Sequence, residues 1–231
     1  MRAVPQREPA AVRAMFDRLA GRYDLVNTIL SGGSDARWRR RTARAAGLQP
    51  GGRGLDVACG SGKLSRQLLQ AAAADGLVVG LDFSAGMLEV ARSGGSGPAF
   101  VRGDALQLPF AEGTFDAVTI AFGLRNLADQ EGGLREMVRV LRPGGRGLVL
   151  EFVRPARGPV GSLYRAYLRH GLPRIGGLVS GQPQAYRYLS DTVDAYHSPE
   201  ELVALAVRAG WQEPRIELLT FGTVGLLWGR R

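Results

Sequence analysis

The sequence predicts an α/β fold: a mostly parallel sheet with helices on both faces and an antiparallel edge. Three observations predict it. From position 53 onward, strand-like runs alternate with amphipathic helical runs. The strand-like runs are almost continuously apolar, as in a sheet covered on both faces. The last two such runs, "RIELLTF" and "TVGLLWG", are close enough to pair as a hairpin. With 231 residues, 45% of them hydrophobic, the chain is long enough for one sizeable domain and short for two. A single domain is expected over 1–231, with N-terminal helices over 1–50 and a helical cap inserted at about 157–193.

The elements follow in order. "EPAAVRAMFDRLAGRYDLVNTILS" places Val12, Phe16, Leu19 and Tyr23 near helical spacing, and "DARWRRRTARAAGL" is a basic helix ended by Gly47. "RGLDVA", "GLVVGLD" and "AFVRGD" read as strands, with helices "GKLSRQLLQAAAA" and "SAGMLEVARS" between them. "FDAVTIAF" and "GRGLVLEF" are strands flanking the helix "EGGLREMVRVLR". After "LEFVRP" the alternation pauses in a mostly helical, aromatic-rich stretch that includes Tyr164, Tyr167, Tyr186 and Tyr188. "SPEELVALAVRAG" resumes it. Ser198 fits an N-cap, Pro199 the first helical position, and Glu201 the third residue of a capping box.

Composition narrows the chemistry. One cysteine, Cys59, rules out an intramolecular disulfide and a cysteine cluster, and two histidines make a metal site unexpected. No apolar run reaches the roughly 18 to 20 residues of a membrane span, and the first residues lack the apolar stretch of a signal peptide. The expected location is the cytoplasm. The formal net charge is +9, with Lys63 the only lysine. Such a surface suits nucleic acid, anionic lipid or acidic small molecules, and charge alone does not choose among them.

"LDVACGSGKL" reads as strand, glycine loop and helix. Gly60 and Gly62 let the backbone approach a ligand, and the helix that follows offers unpaired N–H groups. A dinucleotide loop would carry a third glycine where Ser65 stands. Instead, acids mark three successive strands: Asp56 four residues before Gly60, Asp82 at the end of the next strand, and Asp104 at the end of the third. A carboxylate at the position of Asp82 accepts both hydroxyls of an adenosine ribose. Asp104 is placed to accept the adenine amino group, with Ala105 supplying a backbone N–H. The loop lacks the spacing of a phosphate-binding Walker motif. A carboxylate-rich edge suits a positively charged ligand without phosphates, and S-adenosylmethionine is such a ligand.

This run of motifs resembles the class I S-adenosylmethionine-dependent methyltransferases. The resemblance implies a Rossmann-like, seven-stranded sheet whose last hairpin strand is antiparallel. "YDLVNTILSGGSDARWRR", "IAFGLRNLAD", "EMVRVLRPGGRGLVLEF", "LPRIGGLVS" and "AYRYLSDTV" together are similar to the menaquinone/ubiquinone biosynthesis C-methyltransferase family, across nearly the whole chain. That resemblance implies methylation of a ring carbon of a prenylated quinol, with demethylmenaquinol first and a ubiquinol precursor second. It implies cofactor contacts at Ser61, Asp82, Asp104, Ala105 and the position of Ala121. The family usually carries Ser at 121, an acid at Lys63, and His at Asp35 and Leu227.

"FGLRN" sets Arg125 and Asn126 just past the fourth strand, at the same edge as the acids. It lacks the prolines of an exocyclic-amine methyltransferase motif. For a quinol the pair makes chemical sense. A phenol titrates near pH 10, so ionising it at pH 7 costs on the order of 4 kcal/mol. A fixed guanidinium and an Asn amide offset part of that at the developing phenolate. Arg125 itself stays charged, so the base is a water, Asp24 or Asp129. A structural alternative pairs Arg125 with Asp129 four residues on.

A polyprenyl tail calls for an apolar lid, with Tyr23, Tyr186 and Tyr188 as candidate substrate contacts. A lipid-borne substrate also gives the basic surface a role at the inner face of an anionic membrane. A homodimer stays open, and no nucleic acid partner is expected. The competing readings are another small phenolic or isoprenoid acceptor, a nucleotide-binding oxidoreductase, and an RNA methyltransferase suggested by charge alone.

Overall fold

The computed structural model describes residues 14, 17, 28, 31–73, 75–154, 158–171, 174 and 190–231. The earliest helix whose bounds lie within the described residues is α1 (Ser34–Ala46), closed by Gly47 in the left-handed region at φ 64. Then follow β1 (Arg53–Val57), α2 (Lys63–Ala72), β2 (Leu77–Asp82), α3 (Ala85–Ser93), β3 (Ala99–Arg102) and β4 (Phe115–Ala121). A single 3-10 turn, Leu124–Asn126, leads to α4 (Gln130–Val140) and β5 (Leu141–Phe152). The helix α5 (Pro159–Ala166) runs into a π-helical turn, Tyr167–Gly171. The chain closes with α6 (Pro199–Arg208), β6 (Gln212–Leu219) and β7 (Val224–Arg230).

The seven strands form one sheet in the order β3-β2-β1-β4-β5-β7-β6. The first five are mutually parallel, and β7 runs antiparallel to both β5 and β6. The expected hairpin therefore closes one side, with β7 one place in and β6 outermost. Strand order reverses between β1 and β4. Open α/β sheets bind ligands outside the carboxyl ends of the strands at such a switch point.

Alternate residues of each strand feed two cores, which is why the strands read as unbroken apolar runs. Leu55, Val57, Val118, Ile120 and Val149 pack with Leu134 and Met137 of α4, Leu202 and Leu205 of α6, and Trp211. Val78, Ala117, Leu148, Leu150 and Leu226 pack on the other face with Trp38, Ala43 and Ala46 of α1 and Leu64 and Leu68 of α2. Leu227 lies fully buried in the first of these cores.

Local chemistry starts the helices where the sequence places them. The capping box is complete: Glu201 N–H donates to Ser198 Oγ, and Ser198 N–H donates to Glu201 Oε2 at 2.9 Å. Ser84 caps α3 by accepting from Met87 N–H, and Asp129 caps α4 by accepting from Gly132 N–H at 2.9 Å. Among the described residues no helix is long and apolar enough to cross a membrane.

Candidate functional site

The glycine loop meets Asp82 at the carboxyl edge of β1 and β2, and the three acids of the sequence are not equivalent. Asp82 is the last residue of its strand and only 5% exposed. Gly60 N–H donates to its Oδ2 at 2.8 Å and Ser84 N–H to its Oδ1 at 2.9 Å. Burial pushes its carboxyl up, and these backbone donors pull it back. Two neutral donors leave lone pairs on both oxygens for ligand hydroxyls. Gly60 and Gly62 adopt left-handed φ values of 56 and 76, and a Cβ on Gly62 would lie 2.6 Å from Phe100 Cζ. The loop thus needs glycine at 62 for both conformation and space. Ser61 is buried at the tip between them.

Asp56 corrects the expectation drawn from spacing. In the β1–β2 register it pairs with Gly80, two residues before Asp82, so it lies inside the sheet and not at its rim. It is 1% exposed, and both oxygens are engaged. Ser65 Oγ donates to Oδ2 at 2.6 Å and Thr119 Oγ1 donates to Oδ1 at 3.0 Å. Desolvation raises its pKa to about 6 against the pull of those hydroxyls. Asp56 fastens α2 to the sheet beneath the glycine loop. Ser65, which in the sequence marked only a missing glycine, is its partner.

Asp104 stands two residues beyond Arg102, which pairs with Asp82 across β2–β3, so it does reach the rim. It is exposed, and its Oδ1 accepts from Leu106 N–H at 2.8 Å. Ala105 beside it is buried. Ala121, at the end of β4, is half-buried and packs toward the α1–α2 core. Cys59 sits in the loop with a buried thiol whose pKa burial raises, and a Cβ on Gly80 would come within 3.0 Å of its Sγ. Small size explains that cysteine.

The second cluster lies at the ends of β4 and β5. Phe122, a buried non-glycine residue at φ 57, turns the chain sharply out of β4. That conformation is rare for an aromatic residue and is held by the surroundings. Phe122 N–H donates to Leu150 O at 2.7 Å, and its ring packs between Trp38 and Phe152. A Cβ on Gly123 would fall 2.7 Å from Ala58 Cβ, so the turn presses against the glycine-loop side of β1.

Arg125 follows. Its Nη1 donates to Glu151 Oε1 at 2.5 Å and to Phe122 O at 2.9 Å, and its guanidinium lies over the Phe152 ring. The side chains of Arg125 and Glu151 are 6% and 0% exposed. Burial pushes the Glu151 carboxyl up, and the Arg125 charge draws it down. The expected alternative partner, Asp129, caps α4 instead. Asn126 Nδ2 donates to Phe122 O at 3.4 Å.

Glu151 is the residue that sequence reading passed over. The available signal was a lone acid inside the apolar strand "GLVLEF". Asp17 is a second. Its Oδ1 accepts from Ser84 Oγ and from Gly86 N–H at 3.2 Å, beside Asp82. Tyr164 of α5, named in the sequence only as part of an aromatic-rich stretch, has a hydroxyl whose pKa burial raises, against a smaller opposing pull from the Arg125 charge. Tyr23, Tyr186, Tyr188 and Asp24 lie outside the described residues. Among the described residues no group of three His, Cys, Asp or Glu is arranged to hold a metal ion.

Residues 4–231 match the model of the ubiE/COQ5 methyltransferase family. A demethylmenaquinone methyltransferase of Thermus thermophilus is 48% identical over 221 residues, covering 94% of this chain and 100% of that protein. Its counterpart from Corynebacterium kroppenstedtii is 42% identical over 225 residues, covering 97% and 96%. Among solved structures, a possible histamine N-methyltransferase of Thermotoga maritima superposes with a TM-score of 0.66 at 21% identity, covering 94% and 98%. The last likeness is one of fold. With nearly its full length matched, the chain belongs to the ubiE/COQ5 methyltransferase family.

Proposed function

We propose that this chain transfers a methyl group from S-adenosylmethionine to a ring carbon of a prenylated quinol, demethylmenaquinol. The observation that carries the reading is the joining of two clusters at one switch point. A carboxylate held by neutral backbone donors stands at the end of β2, and a fixed guanidinium stands at the end of β4. The relatives bearing the name demethylmenaquinone methyltransferase point to the acceptor.

The donor set fits the cofactor. Asp82 offers acceptor capacity to ribose hydroxyls, and Asp104 with the Ala105 N–H suits an adenine edge. The one lysine at the loop, Lys63, lies 3.8 Å from Asp35, so the loop is not built around a free phosphate-binding cation. Ser61, Gly60 and Gly62 shape the loop that closes on the ligand. S-adenosylmethionine supplies an electrophilic methyl group on a sulfonium.

The chain's part is to make a weak carbon nucleophile strong. Losing the phenolic proton enriches the neighbouring ring carbon, and that ionisation is unfavourable at neutral pH by about 4 kcal/mol. Arg125 offsets part of it, with Asn126 as a second donor to the same oxygen. Glu151, the Phe122 carbonyl and the Phe152 ring fix the guanidinium before substrate arrives. Such preorganisation spares reorganisation in the transition state. The ring carbon then takes the methyl, the carbon–sulfur bonding pair stays with sulfur, and loss of the ring proton restores aromaticity.

The α5 segment, in which Tyr164 and Tyr167 stack at 6.4 Å, is assigned in this reading to the cap over the acceptor. The basic surface holds the protein at an anionic bilayer where its substrate resides. That contact predicts binding to anionic vesicles that high salt reverses. The deciding experiment incubates the protein with methyl-labelled S-adenosylmethionine and chemically reduced demethylmenaquinone. One labelled methyl on a ring carbon is the expected product. Methyl on oxygen, or none on the quinol, refutes the reading.

A further inference from the structure

A charged cavity lies at the end of the sheet opposite the candidate site. It holds about 250 Å³ and is lined by Arg41, Ala45, Arg146, Trp228, Gly229 and Arg230. Arg146 sits five residues before Glu151 on β5, so roughly 17 Å of strand separates the two sites. Three features make the cavity more than a solvated basic face. Arg146 and Arg230 are direct partners in the antiparallel β5–β7 register, and like charges placed so destabilise a sheet. Arg41 has its own carboxylate, Glu217 of β6, which accepts from it through both oxygens, at 2.8 and 3.4 Å. Arg146 gives Nη1 to Ala45 O, a last-turn carbonyl of α1, at 3.0 Å. One helix terminus carries about half a negative charge, too little for the cations gathered there. The half-buried Trp228, two residues before Arg230 on the same face of β7, adds a flat apolar wall to the cavity.

We propose that this cavity binds a phosphate group carried on an apolar or aromatic body. The oxyanion bridges Arg146 and Arg230 and relieves their repulsion, and the body lies on the Trp228 indole. Guanidiniums are suited to phosphate by their planar fork of donors. A free phosphate ester and an anionic lipid headgroup share this chemistry. The site is separate from the methyl-transfer edge and does not depend on that reading.

The test titrates the full-length protein with phenyl phosphate, which carries no adenine to enter the cofactor site. Trp228 fluorescence reports binding, since Trp38 and Trp211 are buried. A second arm measures sedimentation with phosphatidylglycerol and with phosphatidylcholine vesicles. Arg230→Gln should weaken the bound arm about tenfold or more, as loss of one charge-assisted contact implies. Arg40→Gln, an equal loss of charge elsewhere on α1, should leave it within about twofold, and methyl transfer by Arg230→Gln should be unchanged. Saturable phenyl phosphate binding identifies a soluble phosphate ester. Binding confined to phosphatidylglycerol, with the same dependence on Arg230, identifies a lipid headgroup. If neither probe binds, or if Arg230→Gln behaves as Arg40→Gln does, the proposal is overturned.

Discussion

The two halves of the sheet keep buried charge by different means. On β1 and β2, Asp56 and Asp82 are satisfied by hydroxyls and backbone amides. On β4 and β5, Glu151 is satisfied by a guanidinium. Neutral donors leave a carboxylate's charge in place, and Asp82 can offer it to a ligand. An ion pair screens part of each partner's charge and fixes their mutual geometry. What Glu151 gives Arg125 is a direction, because a buried fork held by a carboxylate, a carbonyl and an aromatic ring has one orientation. In the proposed reading, the β1–β2 half presents charge to the cofactor and the β4–β5 half aims it at the acceptor.

The largest break in this comparison should come from Glu151→Ala. Removing one partner of a buried pair typically costs about 3 to 5 kcal/mol, because the other charge stays buried alone. Arg125→Gln with Glu151→Gln should be milder than Glu151→Ala, a result that chemical denaturation of the three proteins would test. If Glu151→Ala is no less stable than the double variant, the pair does not hold the region.

Asp56 gives a test by pH. Its folded pKa of about 6 lies above the usual 3.8, so the native state binds the proton more tightly than the unfolded chain does. Its contribution to stability is therefore full below about pH 4 and is lost as pH rises through 6, on the order of 3 kcal/mol in all. Asp56→Asn has no such proton. The stability of the native protein relative to this variant should rise as pH falls from 7 to 4. A gap independent of pH would mean that Asp56 is not held in a desolvated site.

Asp82→Ala should weaken S-adenosylmethionine binding by at least tenfold in calorimetry, since a hydrogen bond to a charged group is worth about 1.5 to 3 kcal/mol. Unchanged affinity would remove the ribose assignment. The smallest effect is at Tyr196, whose buried hydroxyl has no hydrogen-bond partner among the described residues. Tyr196→Phe should be neutral or raise the melting temperature by about 2 to 4 °C, the shift produced by relieving about 1 kcal/mol, the low end of what an unsatisfied buried hydroxyl costs. A lower melting temperature would reveal a partner for that hydroxyl.

Much of this was legible in the sequence for physical reasons. Apolar runs bounded by glycine and acidic turns fixed the strands, and Ser198, Pro199 and Glu201 fixed the start of α6. The rim position of Asp82 followed from its place at the end of "LVVGLD". Register was not legible. A shift of two residues between β1 and β2 decides that Asp56 is inside the sheet and Asp82 at its edge, and register arises from pairing between distant segments. The partner of Arg125 was hidden for the same reason. Asp129 is near in sequence, whereas Glu151 is brought alongside by the β4–β5 pairing. The basic cavity was invisible too, because Arg41, Arg146 and Arg230 come from three separated elements.

The division of labour between the halves is tested most directly by one paired measurement: cofactor affinity and single-turnover methyl transfer at saturating cofactor, for Asp82→Ala and Arg125→Gln, with a thermal melt of each. Asp82→Ala should lose affinity and keep most of its rate. Arg125→Gln should keep affinity within about twofold and lose a factor of about 100 to 1,000 in rate. That loss should shrink as pH rises toward 9 and solution supplies more ionised quinol. If Arg125→Gln instead melts early while its folded fraction transfers methyl at the native rate, the arginine only holds the fold, and the account is contradicted.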